Sequence, residues 1–128
     1  MIEAAKVRLF PVGADGSATV TSADTDWDKA VEGEIIGLAV DLVTQPNTVD
    51  VTVKHPNASA SNIWAASNMS ADVFVVPSVF GVSNANVALT SDVTPQHYVA
   101  FGYPSVVVAQ GDAGAAKYVD VVVFFRRR

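Results

Sequence analysis

Three aspartates at alternate positions, Asp24, Asp26 and Asp28, form the first group in the chain whose spacing could do chemistry. Carboxylates spaced in this way open the calcium-binding loop of helix-loop-helix proteins. That loop needs glycine at its sixth position and glutamate at its twelfth, where this chain has Lys29 and Ile35. The pattern therefore favours a solvated acidic loop, with a looser oxygen-ligand site as the alternative.

The remaining residue types suited to catalysis or metal binding are few. The chain has two histidines, His55 and His97, and no cysteine. Zinc sites are built from sets of histidine and cysteine, so none is predicted. A serine triad of the hydrolase type would need a Gly-x-Ser-x-Gly turn, and the sequence contains none. We therefore predict that the chain is not an enzyme and has no catalytic residue, no cofactor and no metal.

Several aromatic residues could form a platform on which sugar rings stack: Trp27, Trp64, Tyr98, Phe101 and Tyr103. Aromatic side chains bury large areas, so the competing interpretation places them in the core or at its rim. The sequence favours the core interpretation and leaves a carbohydrate-binding surface as the alternative.

The element most able to position an interaction site is the segment from Tyr118 to Phe125. Strand alternation places four apolar residues on one face, namely Val119, Val121, Val123 and Phe125, and four residues on the other, namely Tyr118, Asp120, Val122 and Phe124. A strand that is apolar on both faces must be covered on both sides. We predict a central or partner-paired strand, with Val122 and Phe124 as partner-binding residues.

Arg126, Arg127 and Arg128 follow this strand and add a compact positive charge to a chain of net charge −5. We predict that they help attachment to a partner, so that their deletion weakens docking and leaves the fold intact. The alternative is a solvated segment that protects a strand edge from aggregation.

Alternating apolar residues predict further strands in an all-β chain. Thr48 to Lys54 turns Val49, Val51 and Val53 to one side, and Glu34 to Val43 turns Ile36, Leu38, Val40 and Leu42 to one side. We predict that these two segments pair as an antiparallel hairpin, and that Ala5 to Val12 pairs with Ser17 to Thr21 around an Asp-Gly turn. Other predicted strands are 62–66, 72–76, 97–101 and 105–110. Loops are expected at 25–32, with a short helical turn as the alternative, at 55–61 and at 111–115.

The segment from Ser78 to Thr94 is small, polar and weakly patterned. We predict a long excursion there, with one short strand at Asn86 to Leu89. Loops of this length in a compact domain are often functional or bound to a partner.

Composition limits the classes of partner. The 128 residues are half apolar and 16% charged, which is enough for one domain with a core of its own. The acidic balance argues against a nucleic-acid surface, which needs a basic face. We find neither a membrane-spanning stretch nor the order of a signal peptide, and expect synthesis in a cytoplasm.

The order of these segments resembles that of small all-β virion proteins of tailed bacteriophages, in particular capsid decoration (cement) proteins. The resemblance covers about Val7 to Phe125 and rests on a first hairpin followed by the segments Glu34 to Asp41, Thr48 to Val53, Ile63 with Trp64, and Val106 to Gly111. Arg126 to Arg128 have no counterpart in that pattern.

The resemblance implies a single antiparallel β-sandwich, jelly-roll-like, over residues 1–128. It implies a structural protein on the capsid surface of a virion, made in the host cytoplasm, with the major capsid protein as its partner. A homo-oligomer is expected, with a trimer as one form, and no nucleic-acid or membrane partner is expected. The alternatives are a tail or neck component and, from another class, a carbohydrate-binding β-sandwich module.

Overall fold

The computed structural model describes residues 1–79 and 96–128, and strands dominate these residues. In chain order the strands are β1 (Ile2–Leu9), β2 (Ala18–Thr21), β3 (Val31–Val43), β4 (Val49–His55), β5 (Ala58–Met69), β6 (Val73–Val75), β7 (Ser78–Val79), β8 (Gln96–His97), β9 (Val99–Gly102), β10 (Ser105–Gly111) and β11 (Tyr118–Arg127). A single 3-10 turn, Asp24–Asp26, is the helical element of the described residues, where we find no helix of the length and apolarity needed to cross a membrane.

Two antiparallel sheets pack against each other. The first sheet has the order β1-β11-β3-β6, and β9 pairs with β3 as well. The second sheet has the order β2-β10-β4-β5, and β7 pairs with β8 in a separate ribbon. The predicted all-β, antiparallel, sandwich-like class is therefore confirmed, whereas the finer jelly-roll description stays a prediction.

The core lies between the two sheets and is built largely from β-branched residues. The second sheet contributes Val49, Val51, Val53, Val106 and Val108, and the first sheet contributes Leu38, Val40, Val119, Val121, Val123 and Phe125, all fully buried. Burying a side chain of this kind stabilises the fold by about 1.5–3 kcal/mol. The inward alternation predicted for β4 and β11 is confirmed, and β11 is central because it pairs with both β1 and β3.

Both predicted hairpins are wrong, because the chain crosses between the sheets at these points. β1 pairs with β11 and β2 with β10, so the Asp-Gly turn joins strands of different sheets. Only Val12 and Thr19 bridge across that turn, with N–H to carbonyl distances of 2.9 and 3.0 Å. β3 and β4 also lie in different sheets. Turn signals predict a reversal of the chain, but they do not decide which strand becomes the hydrogen-bonded neighbour.

The bounds of two strands and the facing direction of one residue also differ from the sequence prediction. β3 begins at Val31, inside the expected loop, and β5 begins at Ala58 and ends at Met69, well beyond the short strand predicted there. Ile36 was predicted to point inward with Leu38 and Val40, but Ile35 is the buried residue. Most of the predicted excursion from Ser78 to Thr94, including the strand predicted at Asn86 to Leu89, lies outside the described residues.

Candidate functional site: an aromatic sheet face

The outward faces of the two sheets differ in chemistry. On the second sheet the strands β4 and β10 turn one valine, Val107, and otherwise small or polar residues outward, namely Asp50, Thr52, Lys54, Ser105 and Ala109. On the first sheet an apolar surface lies between charged residues toward the two ends of the strands. We call this surface the aromatic face and define it by Ile2, Ile36, Phe74, Val122 and Phe124.

The aromatic face contains a shallow depression of about 240 Å³, lined by Ile2, Ile36, Phe74 and Phe124. Ile2 and Phe74 keep 61% and 64% of their surface exposed. The rings of Phe74 and Phe124 lie 5.9 Å apart at an angle of 53°, a tilted arrangement that aromatic pairs favour. A small protein gains nothing in folding from apolar side chains left this exposed, so a contiguous group of them is typical of a binding surface.

A β-bulge puts Ile36 on this face. Phe124 pairs with Gly37 and Phe125 pairs with Ile35, so Ile36 is the extra residue of β3. The bulge reverses the alternation, so that Ile35 lies in the core while Ile36 lies outside next to Phe124. A count by twos along β3 cannot detect such an insertion.

Gly37 provides the room for the aromatic pair. A Cβ atom at this position would lie 2.7 Å from Cζ of Phe74, which is closer than van der Waals contact. Phe74 comes from the short strand β6, which pairs with β3 through Leu38, Ala39 and Val40. The ring therefore folds back over the glycine toward Phe124.

A group of ion pairs lies at one end of the aromatic face. We call it the arginine–glutamate cluster and define it by Arg126, Arg127, Arg128, Glu3, Glu32 and Glu34. Arg127 donates two hydrogen bonds to the carboxylate of Glu3, at 2.6 and 2.9 Å, and a third to Glu32. The Arg127 guanidinium lowers the pKa of Glu3 below its usual value, and burial opposes this effect.

Glu34 is the second centre of the cluster. Its carboxylate accepts a hydrogen bond from Arg128 at 2.9 Å, lies 2.6 Å from Nδ1 of His97 and 3.9 Å from a nitrogen of Arg126. Hydrogen bonds from Arg128 and then His97 lower the pKa of Glu34. The cluster joins β1, β3 and β11 at one end of the sheet, and His97 links β8 to it through Glu34.

The opposite end of the face carries a second ion pair beside an aromatic contact. Arg8 donates two hydrogen bonds to Asp120, at 2.8 and 2.9 Å, and its guanidinium lies 4.0 Å from the centre of the Tyr118 ring. The Asp120 carboxylate raises the pKa of Arg8, so the pair stays charged. Phe10 packs against the same tyrosine at 5.5 Å between ring centres.

The predicted partner-binding residues lie in two places. Val122 and Phe124 are half-buried on the aromatic face, and Arg126, Arg127 and Arg128 are exposed but ion-paired. Sequence reasoning missed Ile2, Ile36 and Phe74. The only local signal was Phe74, at the centre of the predicted strand 72–76. Strand alternation can indicate one outward aromatic residue there, but it cannot show which residues of other strands that side chain contacts.

The other candidate sites are dispersed. Asp26 accepts the N–H of Ala23 and Asp28 accepts the N–H of Lys6, both at 2.8 Å, so these carboxylates hold backbone together. No cluster of three or more potential metal ligands occurs within residues 1–79 and 96–128. The two histidines have different partners. His55 hydrogen-bonds to the carbonyl of Val99 at 2.8 Å, whereas His97 contacts Glu34.

The residues of the proposed sugar platform do not share one environment. Trp27 is 94% buried in the core, where its indole N–H donates to the carbonyl of Pro104 at 3.0 Å. Trp64 and Tyr98 pack partly against the core, while Phe101 and Tyr103 are exposed. The core interpretation therefore holds for Trp27.

Comparison of the chain with protein-family models, with curated proteins and with solved structures finds no match.

Proposed function

We propose that the chain is a structural protein of a tailed-bacteriophage virion, where it decorates the capsid surface and binds the lattice of the major capsid protein. The observation that carries the proposal is the aromatic face on a sandwich-like scaffold whose other outward face is small and polar. The virion setting comes from the resemblance of the order of sequence segments to that of decoration proteins. The jelly-roll description belongs to the same proposal.

Support for the jelly-roll description comes from the path of the chain. The sheet orders are β1-β11-β3-β6 and β2-β10-β4-β5, and β1 to β4 alternate between the two sheets, as do β9, β10 and β11. Jelly rolls are double sheets of this sort, with two Greek keys and protected edges. Such a scaffold presents broad, flat faces, which suit contacts between the subunits of a shell.

The aromatic face is suited to assembly at low entropic cost. Phe74 and Phe124 have two side-chain torsions each, so little freedom is lost when a neighbour covers them. The charges at both ends of the face are already paired within the chain, through Arg8 with Asp120 and Arg128 with Glu34. These two pairs would enter an interface already neutralised, which lowers the cost of desolvating them.

The test of this proposal is the protein content of purified virions, followed by reconstitution. We expect mass spectrometry to find the chain in particles, and the purified chain to sediment with undecorated capsids. Phe74→Ala should reduce the bound amount at least about tenfold, as for a residue central to an interface. Phe10→Ala, the same change at an exposed phenylalanine outside the depression, is the control. Absence of the chain from virions would overturn the proposal.

A further inference from the structure

We infer that His55 and Asn57 form a pH-sensitive cap on the edge of β9, which is closed while the His55 imidazole is neutral and opens when the imidazole takes up a proton. The cap connects the turn between β4 and β5, in the second sheet, to β9, in the first sheet. This inference goes beyond the proposed function, because it involves no residue of the aromatic face and stands whether or not a virion contains the chain.

β9 is an edge strand, and its strand partner within the described residues is β3. The carbonyl of Tyr98, just before β9, accepts the N–H of Ile35 in β3 at 2.8 Å, which shows the side from which β3 is bonded. In an antiparallel pair every second residue turns both backbone groups away from the partner, so Val99 and Phe101 present four groups outward. A bare edge of this kind is open to pairing with another strand.

Two side chains bond three of these four groups in place of a neighbouring strand. The Asn57 side chain donates from Nδ2 to the carbonyl of Phe101 and accepts the N–H of Phe101 at Oδ1, both at 2.9 Å. Nε2 of His55 lies 2.8 Å from the carbonyl oxygen of Val99. Since both pairs of residues are spaced by two, the short segment 55–57 covers the edge of β9 as a strand would.

The partners of the His55 ring decide which of its nitrogens carries the hydrogen. Nε2 faces the carbonyl oxygen of Val99, which can only accept, so Nε2 is the protonated nitrogen. Nδ1 lies 3.1 Å from the backbone nitrogen of Asn57, which can only donate, so Nδ1 accepts and has no hydrogen. The closed cap therefore requires a neutral imidazole in the Nε2–H form.

A proton on Nδ1 is incompatible with this arrangement. The Nδ1–H group would face the backbone N–H of Asn57, so that two donors meet and the Asn57 N–H loses its acceptor. The Asn57 backbone then moves away from the ring and takes with it the side-chain amide that covers Phe101. Histidine changes its charge between about pH 5 and 8, so the cap opens within this range.

The titratable groups around His55 do not offset this conflict. β5 and β9 contain no titratable side chain. The ring of Tyr98 lies 6.2 Å from that of His55 between centres, and Lys54, the preceding residue of β4, adds positive charge. On β8 and β3, His97 and Glu34 contact each other at 2.6 Å. These elements therefore leave a charged His55 without a carboxylate partner.

NMR spectroscopy of the full-length, nitrogen-15-labelled chain at about pH 7.5 and about pH 5 tests the cap. At the higher pH the ring nitrogen shifts should show the Nε2–H form of His55, and a scalar coupling should connect its Nδ1 to the backbone nitrogen of Asn57. At the lower pH this coupling should vanish. The protection of the Phe101 amide against hydrogen exchange, relative to its intrinsic rate at each pH, should fall about tenfold. The amide of Val121, in the central ladder, is the internal reference and should keep its protection.

The two histidines provide a matched pair of variants. His55→Gln retains an amide donor for the carbonyl of Val99 but has no group that titrates in this range, so the protection of Phe101 should become equal at the two pH values. His97→Gln makes the same change at the other histidine and should keep the tenfold response. The inference is overturned if Nδ1 of His55 carries the hydrogen at neutral pH, if Phe101 keeps its protection at about pH 5, or if His55→Gln responds as the original chain does. None of these outcomes affects the virion experiment.

Discussion

At the scale of single residues, two glycines of β3 differ in how well their positions could accept a side chain. Gly33 lies in β3 opposite Arg127, with a φ of +152° that side chains rarely adopt. A Cβ atom there would lie 2.1 Å from the carbonyl oxygen of Arg126, which is backbone and cannot swing aside. Gly37 differs, because the atom it would meet is the tip of the Phe74 ring.

We predict that Gly33→Ala destabilises the protein by about 3 kcal/mol or more, through both the clash and the strained φ. Gly37→Ala should stay within about 1 kcal/mol of the original stability, because Phe74 can rotate and a strand loses a flexible glycine. Urea unfolding of both variants measures the difference. Equal stability of the two variants would contradict the placement of Arg126 against Gly33.

The lowered pKa of Glu34 predicts a pH dependence. Since its folded-state pKa lies below the usual 4.5, its ion pairs contribute fully above that value and are lost as the pH falls through the lowered folded-state value. Stability should therefore fall on acidification below about pH 4.5. Glu34→Gln should flatten this dependence, measured by denaturant unfolding at neutral and acidic pH. Asp24→Asn, in the loop outside the cluster, serves as control and should leave the dependence in place.

At the scale of elements, the bulge in β3 and the end of β11 decide which residues reach the surface. The bulge exchanges the roles of two neighbouring isoleucines, since Ile35 is fully buried and Ile36 lines the outer depression. The end of β11 remains in the ladder through Arg127, which pairs with Gly33, while Arg126 pairs with both Ile2 and Glu34. Both features depend on the neighbouring strands.

The neighbouring isoleucines offer a matched comparison. Ile35→Ala should cost about 2–5 kcal/mol, the range for a core residue whose removal leaves a cavity. Ile36→Ala should cost less than about 1 kcal/mol, because its side chain contacts other residues at the surface. The midpoints of chemical unfolding give both values. A larger loss of stability for Ile36→Ala than for Ile35→Ala would contradict the bulge and would mean that Ile36 points into the core, as the sequence predicts.

The placement of the arginines changes the effect expected for their deletion. A chain ending at Phe125 should still fold, because the inward residues of β11 remain, but it loses the ladder contacts of Arg126 and Arg127 as well as the ion pairs. We expect its melting temperature to fall by about 5 °C or more, a larger loss than the sequence alone predicts. Replacement of all three arginines by glutamine keeps the ladder and should cost less. Identical melting of the truncated and full-length chains would contradict this account.

At the scale of the whole molecule, the fold is held together by pairings between distant parts of the chain. β1 and β11 are neighbours from Ile2 with Arg126 to Leu9 with Val119, and each sheet combines segments from both halves. Two residues outside the ladders satisfy backbone groups of exposed edge strands. The Asn57 side chain hydrogen-bonds to both the N–H and the carbonyl of Phe101, each at 2.9 Å. The Asp28 carboxylate accepts the N–H of Lys6 at 2.8 Å, and the backbone N–H of Asp28 donates to the carbonyl of Lys6 at 3.1 Å.

This topology predicts slow folding. Because β1 cannot pair until β11 has been reached, loop-closure entropy must be overcome before most of the first sheet forms. We expect folding on the millisecond-to-second scale, typical of sandwiches rich in non-local pairs. Stopped-flow tryptophan fluorescence follows the reaction, because Trp27 becomes buried in the core and Trp64 packs partly against it. Folding in microseconds would mean that local contacts dominate instead.

The sequence by itself determined the all-β class, the strands 48–54 and 118–125, and the inward valines of both, since alternation is a local property of side chains. It also identified Val122 and Phe124 as outward apolar residues, because alternation along one strand is enough to show that both of its faces are apolar. The tertiary structure alone decided which strands are neighbours, that Ile36 rather than Ile35 faces outward, and that Ile2 and Phe74 join Phe124. The same holds for the arginines, which meet glutamates from β1 and β3. Each of these features depends on hydrogen bonds or charges contributed by residues distant in the chain, and local patterns contain no information about them.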